Sequence, residues 1–168
     1  MCLIPEDRLT KALMLEDSVN ENLSLPFIEA FCDAKFVNLK KEYNASLSTK
    51  EQLNIMAPNI DVKVNSLSGG NKQKVSFGRW VNAHNTASDF FIFDEPTEGV
   101  DVGARAEMYK IIVELAESGA ACLVISSDIH EIMGLADRIY IMRDGEIVDE
   151  ISKDTPDLQE TILAASVG

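Results

Sequence analysis

An α/β fold with a parallel core sheet, a helical stretch ahead of it and a C-terminal β-hairpin plus helix is what this 168-residue sequence predicts. Three observations carry that reading. Phe90–Phe93 is an unbroken apolar run of strand length, and Ala121–Ser126 is a second, the pattern of strands buried on both faces of a parallel sheet. Between them Met108, Ile111, Ile112 and Leu115 recur at helical spacing within 101–118. Arg138–Met142 and Glu146–Ile151 flank Asp144-Gly145, a dipeptide suited to a tight hairpin turn.

Taken in order, Met1–Ile4 reads as the end of a strand. Residues 18–65 read as helices. Ser18-x-x-Glu21 is a capping box, Pro26 interrupts, and 39–55 has helical periodicity diluted by Asn44, Ser46, Ser48 and Thr49. Ser68–His84 is the next predicted helix, with Ser68 as N-cap, Val75, Trp80 and Val81 on its buried side, and His84 suited to the negative end of the helix dipole. Asp101 is a further N-cap for the amphipathic helix that follows, and Gly119 its C-cap. In the hairpin, Ile139, Ile141, Ile147 and Ile151 alternate inward. A last helix begins near Thr155-Pro156, with Pro156 at its first position and Leu158, Ile162 and Leu163 on its apolar side.

The length is that of one domain, able to bury roughly 70% of its unfolded surface. The net charge of −13 argues against nucleic acid as a partner, because a phosphate backbone calls for a basic footprint. Cys2, Cys32 and Cys122 are odd in number and lack metal-site spacing, which points to reduced thiols. No apolar run reaches membrane-spanning length and no signal-peptide pattern opens the chain, so a link to a membrane is expected to run through a partner.

The chemistry concentrates between Val64 and Ala104. Leu67-Ser68-Gly69-Gly70-Asn71 is a small-residue loop that opens a helix, where a phosphate can approach bare backbone N–H groups at the positive end of the dipole. Lys72, Lys74 and Arg79 follow; cations so near a helix start make sense if an anion arrives there. Phe90–Phe93 runs into Asp94 and Glu95. At the carboxyl end of a parallel strand, Asp94 is placed to hold magnesium and Glu95 to orient and deprotonate a water attacking a phosphate.

The pair LSGGN and DEPTEGVD resembles the signature motif, Walker B strand and D-loop of the ATP-binding cassette (ABC) ATPases. Ile4-Pro5-Glu6-Asp7-Arg8, Ser18-Val19-Asn20-Glu21-Asn22-Leu23 and Asp101-Val102-Gly103-Ala104 resemble the C-terminal cassette of the duplicated ATPase subunits of bacterial monosaccharide importers, of the ribose and galactose type. The resemblance covers nearly the whole chain. It implies a partial P-loop NTPase fold over 1–168, with 18–65 as the helical subdomain and 66–168 carrying the signature helix, Walker B, D-loop and switch region, then the hairpin and helix.

The resemblance also sets expectations for the site. No two of the nine glycines are five positions apart, so the chain has no G-x-x-x-x-G-K-[ST] phosphate loop. In the family that loop lies upstream, which suggests a truncated cassette. Glu6 falls at the Q-loop position, linked to magnesium and the permease. Asn71 replaces the usual signature glutamine, and Asp101 is the D-loop residue that connects opposed cassettes. Ser127 aligns with the switch histidine, whose charge and reach a hydroxyl cannot match, while His130 lies one helical turn on. Cassettes of this family pair head to tail. Ser68, Gly69, Gly70 and Asn71 would therefore close over ATP and Mg2+ held by a second cassette, with a transmembrane permease as the other partner. The implied location is the inner face of the cell membrane, and little ATPase is expected of the chain alone.

Two other readings stay open: a truncated, non-catalytic module that docks on a permease or cassette, and a translation-linked or repair cassette with the same signature. The missing phosphate-loop strand is expected to leave a gap, or a collapse, between the Ala121–Ser126 and Arg138–Met142 strands, with exposed edges.

Overall fold

A computed structural model describes residues 1–7, 11–81, 89–100 and 102–167. His84 and Asp101 lie outside the described residues, as does the Val81 side chain. The chain divides into two compact units, Met1–Leu123 and Val124–Gly168. Among the described residues no helix is long and apolar enough to cross a membrane.

The first unit is built on a three-stranded sheet of order β1 (Cys2–Ile4), β4 (Phe90–Asp94), β5 (Ala121–Ile125). β1 pairs parallel with β4, Ile4 opposite Phe93. One face of the sheet is dry. Ile4, Phe91 and Phe93 are buried on it, and Phe93 stacks on Phe77 of α3 (Gly69–Val81) at 5.3 Å between ring centroids. α4 (Val102–Glu117) buries Met108, Ile111, Ile112 and Leu115, the stripe its periodicity predicts. Gly119 closes that helix in the left-handed region at φ 99°, where a Cβ would be strained.

The other face of the sheet differs from expectation. β5 alternates between exposed and half-buried, and Leu123 and Ile125 lie open, as does Leu3 of β1. An apolar run reports that a strand can be covered on both faces, not that a second layer is present. β5 ends the three-stranded sheet, and β6 (Arg138–Arg143) pairs with β7 (Glu146–Ser152) in a separate one. β5 and β6 are thus not paired in one sheet.

The expected helical stretch contains α1 (Val19–Ser24), a 3-10 segment (Leu25–Phe31) that accommodates Pro26 near its start, and α2 (Leu39–Gln52). The capping box is formed: Glu21 N donates to Ser18 Oγ at 3.1 Å and Ser18 N to Glu21 Oε2 at 2.7 Å. A small hairpin of β2 (Cys32–Asp33) and β3 (Phe36–Val37) separates the helices, two residues per strand and too short to leave a periodic trace. Trp80 meets Phe27 edge to face at 6.2 Å.

In the second unit, Ile139, Ile141 and Ile162 form a core with Ile129, Ile132 and Leu158 against it. Asp144 and Gly145 turn the hairpin with φ of 50° and 83°, the geometry their dipeptide favours. Two details depart from the sequence reading. A register shift between Ile141 and Met142 leaves Ile147 exposed instead of inward. The last helix, α6 (Leu158–Val167), starts two residues after Pro156, with Asp157 at φ 51° between them and Leu163 turned outward.

Candidate functional site

The small-residue loop opens α3 as predicted. The helix begins at Gly69, directly after Ser68, and Lys72 N donates to the Ser68 carbonyl at 2.9 Å. At such a start the N–H groups of the first turn have no intrahelical acceptor and face an incoming anion. Ser68, Gly70 and Asn71 line a hollow of about 210 Å³ with Met56 from the loop after α2, Lys74 of α3, and Gly103, Ala104 and Glu107 of α4.

Asn71 does more than its place in the motif suggests. Its Oδ1 accepts from Met56 N at 2.7 Å, and its Nδ2 donates to Ser68 Oγ at 2.9 Å. The amide therefore ties the loop after α2 to the Ser68 hydroxyl and fixes where that hydroxyl sits. Aspartate has no N–H to donate in that position, so an amide is what the geometry asks for.

Two of the three cations expected to meet an anion are engaged by the protein itself. Lys74 is buried, pairs with Glu107 and donates to the Asn54 carbonyl at 3.0 Å. Arg79 reaches the Ala12 carbonyl, and burial pulls its guanidinium below its ordinary value. Lys72 stays half-buried near the helix start. The hollow is thus lined by neutral hydrogen-bonding groups and one compensated ion pair. A larger hollow, about 630 Å³, lies beside the end of α2 among Lys50, Glu51, Asn54, Ile55, Met56, Ala57 and Pro58. None of the predicted site residues lines it.

Asp94 ends β4, half-buried, and Glu95 follows at φ 45°, a left-handed conformation uncommon for a non-glycine residue. The turn that holds it is tightly bonded. Glu98 N donates to the Glu95 carbonyl at 3.2 Å, Val100 N to the Thr97 carbonyl at 3.2 Å, and Gln73 Nε2 to the Pro96 carbonyl at 2.8 Å. The pairing of Ile4 with Phe93 brings Glu6 to this end of the sheet. Its carboxyl is held above its ordinary value, first by the hydrogen bond it shares with Glu98, then by the like charge of Glu98, lost hydration and the charge of Asp94.

These carboxylates suit a divalent cation in chemistry. Among the described residues no three metal-binding side chains are gathered into one group. Magnesium needs few protein ligands when phosphates and water supply the rest, so a single carboxylate such as Asp94 fits that mode better than a closed protein cage.

Ser127 belongs to the second unit. It is exposed at the bend between β5 and α5 (Ile129–Leu135). Beside it Asp128 N donates to Ser126 Oγ at 3.0 Å, and Asp128 caps the helix by accepting from His130 N at 2.9 Å. His130 is exposed on the first turn. Sequence reasoning missed Met56 and Glu107 as walls of the hollow, Gln73 as a neighbour of the Asp94–Glu95 turn, and the meeting of Glu98 with Glu6. These contacts span long stretches of chain, and no motif spacing encodes them.

No family model matches the chain. The ribose import ATP-binding protein RbsA of Geobacillus kaustophilus is 45% identical over 168 residues, covering 100% of this chain and 33% of that protein. The ribose import ATP-binding protein RbsA of Corynebacterium glutamicum is 41% identical over 165 residues, 98% of this chain and 30% of that one. The arabinose import ATP-binding protein AraG 2 of Burkholderia ambifaria is 39% identical over 160 residues, 94% and 30%. The chain thus spans about a third of the length of these relatives, 33% of the first and 30% of the others. Among solved structures, a dimeric ATP-binding cassette in a post-hydrolysis state with ADP and Pi superposes with a TM-score of 0.74 at 21% identity, over 91% of this chain and 62% of that one. A dimeric bacterial ABC transporter cassette gives 0.72, also at 21%. The chain is a homologue of the ATP-binding proteins of ribose and arabinose importers, matching their C-terminal part, and its fold is that of the ABC ATPase cassettes.

Proposed function

We propose that the chain acts as the C-terminal part of an ATP-binding subunit of a simple-sugar importer, and that its main contribution is phosphate recognition in trans. The observation that carries this reading is the hollow at the start of α3, where Ser68, Gly70 and Asn71 converge. A hydroxyl, a glycine without a side chain to block approach, and the N–H groups of the first turn form a donor set suited to phosphate oxygens. In this reading ATP is held by a second cassette and meets this surface from outside.

In this reading Asn71 holds the Ser68 hydroxyl in place. The Lys74–Glu107 pair keeps a net charge out of the hollow. Asp94 would be the ligand for Mg2+, with Glu6 facing the same ion. The cation supplies charge neutralisation to the phosphates when bound. Glu95 would accept a proton from water at the opposite site, which Ser127 weakens because a hydroxyl carries no positive charge. Asp101 is the proposed link to the second cassette. A transmembrane permease is the proposed membrane partner, which would place the protein on the inner face of the membrane.

The test is Gly70→Asp in the assembled importer. A carboxylate at the phosphate site is expected to abolish ATP-driven sugar uptake; unchanged uptake sinks the proposal. Alone, the chain is expected to show little ATPase.

A second reading, docking without chemistry, is favoured by the open face of the sheet at Leu3 and Leu123. It predicts that the chain co-purifies with a permease or cassette whose transport rate does not change when Gly70 is replaced.

A further inference from the structure

A buried ammonium lines the hollow at the start of α3, and balancing charge does not account for all of its bonds. Lys74 is 7% exposed and touches both sides of that hollow. On one side it pairs with Glu107, which lies four residues after Gly103 on α4; both line the hollow. On the other side it donates to the Asn54 carbonyl at 3.0 Å, two residues before the lining residue Met56. The two walls come from distant parts of the chain, and Lys74 joins them.

The Met56 wall is a short irregular segment. α2 ends at Gln52, and Asn54 turns the chain in the left-handed region at φ 49°. Asn54 N donates to the Glu51 carbonyl at 3.1 Å and Ile55 N to the Lys50 carbonyl at 2.9 Å, so these two groups close the end of α2. Ile55 is buried, whereas Met56 is exposed. The next two backbone groups reach α3. The Asn54 carbonyl accepts from Lys74, and Met56 N donates to Asn71 Oδ1 at 2.7 Å. Asn71 and Lys74 are three residues apart, which puts them on one side of the helix. The segment is thus tied to α3 through Asn71, which also holds the Ser68 hydroxyl, and through Lys74.

We propose that Lys74 is a positioning residue for the phosphate-binding face. By holding the Asn54 carbonyl and Glu107 together it sets the separation of the Met56 wall from the α4 wall, and so the place at which Ser68 and Gly70 meet phosphate. This rests on the phosphate reading above and names the group that fixes the shape of that site. An ammonium has three donors, enough to serve a carbonyl and a carboxylate at once. Groups in a binding site must be held within about 0.5 Å of their productive geometry, so releasing a wall lowers function without removing any group that touches the ligand.

The test is ATP-driven sugar uptake by the assembled importer at saturating ATP, compared at equal amounts of folded protein. Lys74→Met cuts both bonds and is expected to lower uptake about tenfold or more. It also leaves Glu107 as an uncompensated carboxylate on the hollow wall. Lys74→Met combined with Glu107→Gln separates the two effects, because the hollow is neutral again while its walls stay untied. The double variant is expected to remain about fivefold or more below the parent. Its recovery to parental uptake overturns the proposal in favour of charge alone. Ile162→Val, in the core of the second unit, is expected to stay within about twofold of the parent. A loss there as large as that of Lys74→Met means that any weakening of the fold suffices, and overturns the proposal. Hydrogen exchange gives a readout independent of transport. The amides of residues 55–57 are expected to exchange about tenfold faster in Lys74→Met, with those of β4 unchanged. Exchange equal to the parent's, or faster throughout the chain, overturns the proposal. If Gly70→Asp leaves uptake unchanged, the phosphate reading falls and this inference with it. If Gly70→Asp abolishes uptake and Lys74→Met does not lower it, this inference alone falls.

Discussion

The side-chain amide of Gln73 donates to the carbonyl of Pro96 across 2.8 Å in a buried setting, joining the helix that opens at Ser68 to the turn that carries Glu95. This bond helps hold a strained segment, since Glu95 sits at φ 45°. Gln73→Leu keeps most of the volume and removes the donor. Stranding a buried carbonyl costs about 1–3 kcal/mol, so urea unfolding should show a loss of that size. A loss under about 0.5 kcal/mol would mean that the turn holds itself without α3.

Gly78 predicts a different failure. A Cβ built there would stand 2.6 Å from Leu23 Cδ2, 3.0 Å from Leu53 Cδ1 and 3.1 Å from Thr49 Cγ2. All three neighbours are buried and belong to α1, the end of α2 and α2 itself, so none can yield freely. Overpacking costs about 1–3 kcal/mol, against about 1 kcal/mol gained by replacing glycine with alanine within a helix. Gly78→Ala should therefore lose up to about 2 kcal/mol net. A stabilised variant would show that the three helices can move apart.

How much of this was legible in the sequence depends on the range of the interaction. The Ser18–Glu21 box, the Asp144-Gly145 turn and the Gly119 cap are local chemistry, and the chain forms all three. The strand at Phe90–Asp94 was equally clear. Three things were not. The exposure of Leu123 depends on whether a layer covers β5, which the strand's own residues do not encode. Ile147 turned outward because one register shift reverses the faces of everything beyond it. Lys74 looked available to an anion because its partner Glu107 is 33 residues away and outside any motif.

That pair yields a contrast between two single substitutions. Lys74 is 7% exposed and Glu107 45% exposed. Removing the exposed partner, as in Glu107→Ala, leaves a buried ammonium with only the Asn54 carbonyl, and should cost about 1–2 kcal/mol after allowing for solvent near the pair. Removing the buried charge, as in Lys74→Met, leaves a carboxylate that water can reach and an apolar side chain of similar length in a dry place. It should cost less than Glu107→Ala. The reverse order in chemical denaturation would show that the Lys74–Asn54 bond dominates.

The capping box supplies the pH dependence. The Glu21 carboxyl is held below its ordinary value by hydrogen bonds from the Ser18 side chain and then the Ser18 backbone. A carboxyl depressed in the folded state contributes stability that is fully present above its ordinary value. That contribution is lost as the pH falls through the folded value. At about pH 6, Glu21→Ala should therefore be less stable than the parent by about 0.5–1 kcal/mol, the size of a cap. As the pH falls through the folded value the two stabilities should converge, because the parent's carboxyl protonates and its bonds to Ser18 weaken. Urea titrations of both proteins across that range measure the gap. A gap that stays constant would mean that Glu21 acts through packing or helix propensity, and that its charge plays no part in starting α1.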